Sequence, residues 1–156
     1  MPRAVLDAVG GFPVGVAYGE DTDTWCRIAL RYPIAFNSRP LAVYHKDADE
    51  RACDRVRPLE HPIIRTLEAA IAAGALPPGV PVEDLVEYRN RWRIHAAVAC
   101  LRAGLRPEAR THLRAAASTR RYRAEWRHLR LRSRVPAPLW NWARQVRLSI
   151  VRNARA

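Results

Sequence analysis

The chain has 156 residues, 49% of them hydrophobic, and a formal net charge of +12 at neutral pH. That apolar share excludes a wholly disordered chain and suits one modest globular domain, or a small domain with an appendage. No run approaches the ~20 apolar residues of a membrane-spanning helix, and the opening MPRAVLDAVGG is too short and interrupted for a secretory signal.

The charge is unevenly placed. Residues 1–88 hold nine basic and thirteen acidic side chains, a net of −4, whereas residues 89–156 hold eighteen Arg and two Glu, a net of +16. An acidic front and a basic tail imply different partners for the two ends. The cations are 26 Arg and one Lys, in an Ala-rich chain, which reads partly as a GC-rich coding bias. The Arg preference is therefore weak support by itself for phosphate-binding forks. Cys26, Cys53 and Cys100 lie far apart with no CxxC pair. Buried thiols in a reducing cytoplasm are expected, not a disulfide framework or a zinc site.

In chain order, PRAVLDAV reads as a short helix stopped by Gly10-Gly11, and FPVGVAYG as a Gly/Pro loop. Asp21 or Thr22 can cap a helix running to about Arg31, with Trp25, Ile28 and Ala29 at helical spacing on an inward face. YPIAF and LAVYH are two short strand candidates joined by an NSRP turn. DADERACDRVRP is a charged boundary, and everything beyond it reads helical. PIIRTLEAAIAAG starts on Pro62 and stops at Gly74. VEDLVEYRNRWRIHAAVACLRAG ends at Gly104. RPEARTHLRAAAS carries Pro107 in its first turn. Ala97 and Ala109 would permit close contact between the last two helices. That pair has tetratricopeptide texture, but no second copy follows at a period near 34 residues.

Glu20, Asp21 and Asp23 crowd the mouth of the second helix. Backbone N–H groups point outward there and the helix dipole favours negative charge. A carboxylate at Asp21 could accept a proton from a hydroxyl nucleophile, while Glu20 and Asp23 could orient hydroxyls or hold a cation. Gly19 lets the loop turn tightly. The same acids also fit plain N-terminal capping.

Val9-Gly10-Gly11-Phe12, then seven residues, GEDTDTWCRIA and YPIAFNSRPLAVYH together resemble the latter half of a family 2 glycosyltransferase domain of the GT-A type. The likeness covers roughly residues 3–46, and its force lies in the order of the pieces. It implies an inverting transfer of a sugar from a nucleotide-sugar donor to a hydroxyl acceptor. Asp21 would be the catalytic base and Glu20 would line the acceptor site. Asp23 and Trp25 would fix the helix and the wall of that site, and Arg27 would balance the acids or be solvated. His45 would stand where some GT-A enzymes bring a metal or diphosphate contact. A divalent cation, Mg or Mn, is implied by the resemblance only, because the family's Asp-x-Asp nucleotide-binding half does not precede the matched segment. The DTD at 21–23 lies inside the Glu-Asp motif and is not that metal motif. The expectation is a C-terminal portion of such an enzyme, truncated, split or begun late, that cannot turn over alone.

The basic tail supports a different class of partner. Leu139, Trp142, Ala143, Val146 and Ile150 form one stripe of an amphipathic basic helix that could lie on an anionic membrane or pack on the preceding helices. TRRYRAEWRHLRLRSR interleaves Arg with Tyr122 and Trp126, yet no base-reading motif frames it, so nucleic acid is not the expected partner. The expected architecture is an α/β remnant followed by all-α. It is mostly helical, with a short two-strand element near residues 33–45 and a helical hairpin region toward the C-terminus. The segments are 1–47, a partial GT-A segment; 48–135, a helical domain; and 136–156, the amphipathic helix. The alternative to a transferase fragment is a non-enzymatic helical module that docks on a protein or an anionic membrane through its Arg-rich end. Either protein is expected in the cytoplasm, and the second at the inner face of the membrane.

Overall fold

Proline and glycine set most of the boundaries in a computed structural model of the chain, which describes residues 1–16, 18–43, 45, 60–136 and 138–139. Six helices follow one another among the described residues: α1 (Arg3–Ala8), α2 (Glu20–Ala29), α3 (Ile63–Ala72), α4 (Val82–Arg102), α5 (Arg106–Ala115) and α6 (Arg123–Arg134). Pro62 and Pro81 precede the first residues of α3 and α4, where a missing N–H costs nothing. Gly104, at φ 80°, ends α4 and lets the Leu105 N–H turn back to the Cys100 carbonyl at 2.8 Å. This six-to-one bond satisfies a carbonyl that the helix end would otherwise leave open.

The 21 residues of α4 make a rod of about 31 Å, and the rod is shared by two apolar cores. Near its start, Leu85 and Trp92 join Cys26 of α2, Leu30 just beyond its end, and Ile63, Ile64, Leu67 and Ile71 of α3. Near its end, Ile94, Ala97, Cys100 and Leu101 meet Ala109 and Leu113 of α5 and Trp126 and Leu129 of α6. Ala97 and Ala109 are both fully buried in this second core, where α4 and α5 pack together. The Trp126 indole N–H donates to the Leu113 carbonyl at 2.7 Å, which removes the cost of burying it.

Polar joints lock the helices at fixed angles. Arg93 of α4 reaches Glu60 at 2.8 Å and Glu68 of α3 at 2.6 Å, and its guanidinium also lies 3.3 Å from His112 Nδ1 of α5. Glu87 of α4 accepts the Thr119 hydroxyl at 2.7 Å and the Arg120 backbone N–H at 2.5 Å, holding the turn between α5 and α6. Burial alone would raise the Glu87 carboxyl. The Arg120 N–H, the Thr119 hydroxyl and Arg121 outweigh it and hold the group below its usual range.

Two expectations are corrected. No strand forms among the described residues, and residues 33–43 run irregularly. The physical reason is that the described residues offer this stretch no strand to pair with and no face to cover its apolar side chains. Ile34, Phe36, Leu41 and Val43 are all largely exposed, Phe36 at 90%. Pro33 and Pro40 each lack an N–H for a ladder. The inward face of α2 also differs: Trp25 points outward at 46% exposure, while Asp23, Thr24, Cys26 and Ile28 are buried. A polar joint to α3, described below, fixes that rotation. The charged boundary at 47–58 and the amphipathic tail beyond residue 139 lie outside the described residues.

Candidate functional site

The acidic corner is built around Gly19, which sits at φ 77° just ahead of α2. Its carbonyl accepts the Asp23 N–H at 2.9 Å and so starts the helix. Its missing side chain leaves room for the His61 imidazole, which lies directly against it; a Cβ at this position would stand 2.5 Å from His61 Cε1. His61 is buried. Its ring tilts over Trp92 of α4 at 4.2 Å between centroids and meets the Tyr18 ring edge-on at 5.3 Å. Its Nδ1 accepts the Ile63 N–H at 3.4 Å, which leaves Nε2 to carry the proton of the neutral ring. Burial lowers the His61 pKa, against the opposing pull of Asp21, Asp23 and Glu20 and with a further lowering from His95. A neutral imidazole therefore supports the start of α2 near neutral pH.

The three acids then divide. Asp21 is exposed in the first turn, and its Oδ1 accepts the Thr22 backbone N–H at 2.5 Å and the Thr22 hydroxyl at 3.0 Å. Its second oxygen faces no protein donor among the described residues. Asp23 is turned the other way and is only 6% exposed. One of its oxygens accepts Arg27 Nε at 3.0 Å and the other accepts the Thr66 hydroxyl of α3 at 2.5 Å. Glu20 is half-buried, and its carbonyl accepts the Thr24 hydroxyl at 2.7 Å.

Arg27 ties this corner to the Val-Gly-Gly turn. Beyond Asp23, its guanidinium donates to the Val9 carbonyl, to the Gly11 carbonyl at 2.9 Å and to Thr24 Oγ1 at 3.0 Å. Val9-Gly10-Gly11-Phe12 and the Glu-Asp helix are thus one connected unit. Phe12 leaves that turn to meet Trp25 edge-on at 6.1 Å. Trp25 lies four residues after Asp21 and so shares its exposed face of α2. Cys26 lies on the buried side, where burial, and then Asp23, push its thiol up to about 11 against the pull of Arg27.

His45 is exposed and lies outside regular secondary structure. Among the described residues no group of three or more His, Cys, Asp or Glu side chains could hold a metal ion. His61, Thr66 and Tyr18 carry much of the local geometry but were not singled out from sequence. The only sequence signal for His61 was a histidine immediately ahead of the proline that opens α3.

No protein-family model matches the chain, and neither a curated protein nor a solved structure matches it.

Proposed function

We propose that this chain is the acceptor side of a family 2 glycosyltransferase, with Asp21 as general base. One observation carries the reading: an exposed carboxylate with an oxygen free of described protein donors, on the same face of α2 as the exposed indole of Trp25. A sugar ring presents apolar C–H faces and a rim of hydroxyls. Trp25, with Phe12 at its edge, offers a flat apolar wall for the first. Asp21 offers an acceptor for the second, and Glu20 stands beside it.

In the complete reaction the acceptor hydroxyl would attack the anomeric carbon of the donor. A new C–O bond forms there, the C–O bond to the diphosphate breaks, and the hydroxyl proton passes to Asp21. Attack from the face opposite the leaving group gives inversion. Asp23 and Arg27 act as positioning residues that hold α2 against α3 and the Val-Gly-Gly turn. The nucleotide sugar would be held by a donor-binding half outside the matched segment, so this chain contributes acceptor binding and the base.

The test is a titration of the isotopically labelled protein with a panel of methyl glycosides, read by NMR. The reading expects the Asp21 amide and the Trp25 indole signals to shift together and to saturate. Asp21→Asn should weaken that binding about tenfold, because a charge-assisted acceptor becomes a neutral one. Shifts confined to other residues would overturn it.

A second reading, a helical module that docks through its basic end, draws support from exposed arginines on α5 and α6, such as Arg110 and Arg134, that make no ion pair among the described residues. It predicts partner or membrane binding that survives Asp21→Asn unchanged.

A further inference from the structure

The facing sides of α5 and α6 enclose a half-open cleft of about 360 Å³, inside the ~300–1,000 Å³ range of small-ligand sites. Its floor is apolar and rigid: Leu113, Ala117 and the buried Trp126, whose indole N–H is already bonded to Leu113. Its rim is four arginines, Arg110 and Arg114 from α5 and Arg130 and Arg134 from α6. Among the described residues no Asp or Glu lines it.

The spacing makes this more than a consequence of composition. Each helix contributes two arginines four residues apart, so they stack on one face. Like charges at that spacing repel, and two such pairs face each other here. An Arg-rich surface can relieve this with carboxylates, and the neighbouring helix face does so: Arg91 takes Glu125 at 2.6 Å, and Arg121 takes Asp84. The cleft does not. Arg110 and Arg134 make no ion pair or side-chain hydrogen bond to another described residue, and Arg114 reaches only Thr111 of its own helix, at 3.2 Å. Arg130 is held in place by the Trp126 ring, 5.1 Å from its centroid. Arg106 bonds the Val135 carbonyl and closes the far end, so the two helices cannot splay there to dilute the charge.

We propose that this cleft binds an anion carrying two or more phosphate groups. Four guanidinium forks around one hollow match several phosphate oxygens and exceed the needs of a single carboxylate. The ligand could be a soluble diphosphate or the phosphorylated headgroup of a lipid, two sources of one chemistry. The site is independent of the sugar-chemistry reading and of Asp21.

The experiment is isothermal titration of the full chain with inorganic pyrophosphate at low salt, beside co-sedimentation with phosphatidylcholine vesicles with and without phosphatidylinositol bisphosphate. The double variant R110Q/R134Q alters two exposed side chains, and circular dichroism checks that its fold is kept. R127Q, an exposed α6 arginine outside the cleft, is the control. The proposal expects binding that weakens about tenfold or more in R110Q/R134Q and is unchanged in R127Q, from the loss of two charge-assisted contacts. Pyrophosphate binding without vesicle recruitment assigns a soluble ligand. Recruitment by the bisphosphate lipid, competed by pyrophosphate, assigns a headgroup. Binding to neither probe, or equal weakening in R127Q, would overturn the proposal.

Discussion

Replacing Gly19 with alanine tests the packing that aims the acidic corner. Two costs add. The backbone sits at φ 77°, and a side chain there costs about 1–2 kcal/mol. The new methyl would also stand well inside contact distance of the His61 ring, 2.5 Å from Cε1. His61 cannot retreat freely, because Trp92 lies behind it at 4.2 Å and Tyr18 meets its edge. Overpacking of this kind adds about 1–3 kcal/mol. The sum, about 2–5 kcal/mol, corresponds to a fall in Tm of roughly 5–15 °C for a chain of this size. The assay is denaturant unfolding of Gly19→Ala in the native and His61→Ala backgrounds. With the ring gone, only the backbone cost should remain, so the two substitutions should couple by about 1–3 kcal/mol. Equal costs of Gly19→Ala in both backgrounds would refute the claim that the imidazole fills the space of the missing side chain.

Other outcomes follow from the same geometry. Asp23→Ala leaves Arg27 with its carbonyl partners but without its carboxylate, and should destabilise by about 3 kcal/mol, the lower end for breaking a buried pair; a loss below about 1 kcal/mol would place little weight on the joint. Glu87→Gln, measured by thermal unfolding, should cost about 1–2 kcal/mol through weaker bonds to Thr119 and Arg120. Stability should also fall with acid in two stages. His61 and His112, both buried, have lowered values in the folded state, chiefly from that burial. Their contribution is complete above the ordinary value of 6.5 and is lost as the pH falls below it toward the folded values. Glu87, also lowered, contributes above the ordinary 4.5 and loses that contribution as the pH falls further, through its folded value. Stability independent of pH between 7 and 5 would contradict the burial of the His61 and His112 imidazoles.

Most of the helical part was legible because its punctuation is local. Pro62, Gly74, Gly104 and Pro107 carry their own backbone restrictions: α3 lies between the first two, α4 ends just before Gly104, and α5 begins beside Pro107. The small residues Ala97 and Ala109 both fall in the core that α4 and α5 share. The stretch at 33–45 was not legible, since β-branched and aromatic residues favour a strand only when a partner edge and a covering face exist. Trp25 misled for a related reason. Helical spacing defines a face of α2 but not which face meets the core, and Asp23 with Arg27 and Thr66 decides that. His61 was invisible because its role comes from a glycine and a tryptophan distant in sequence.

The central claim is that Asp21 and Trp25 form one sugar-binding face. NMR titration of the labelled full chain with methyl glycosides tests it most directly. The account predicts saturable, concerted shifts of the Asp21 amide and the Trp25 indole, weakened about tenfold by the isosteric Asp21→Asn. A panel of glycosides that leaves both signals unmoved would contradict it.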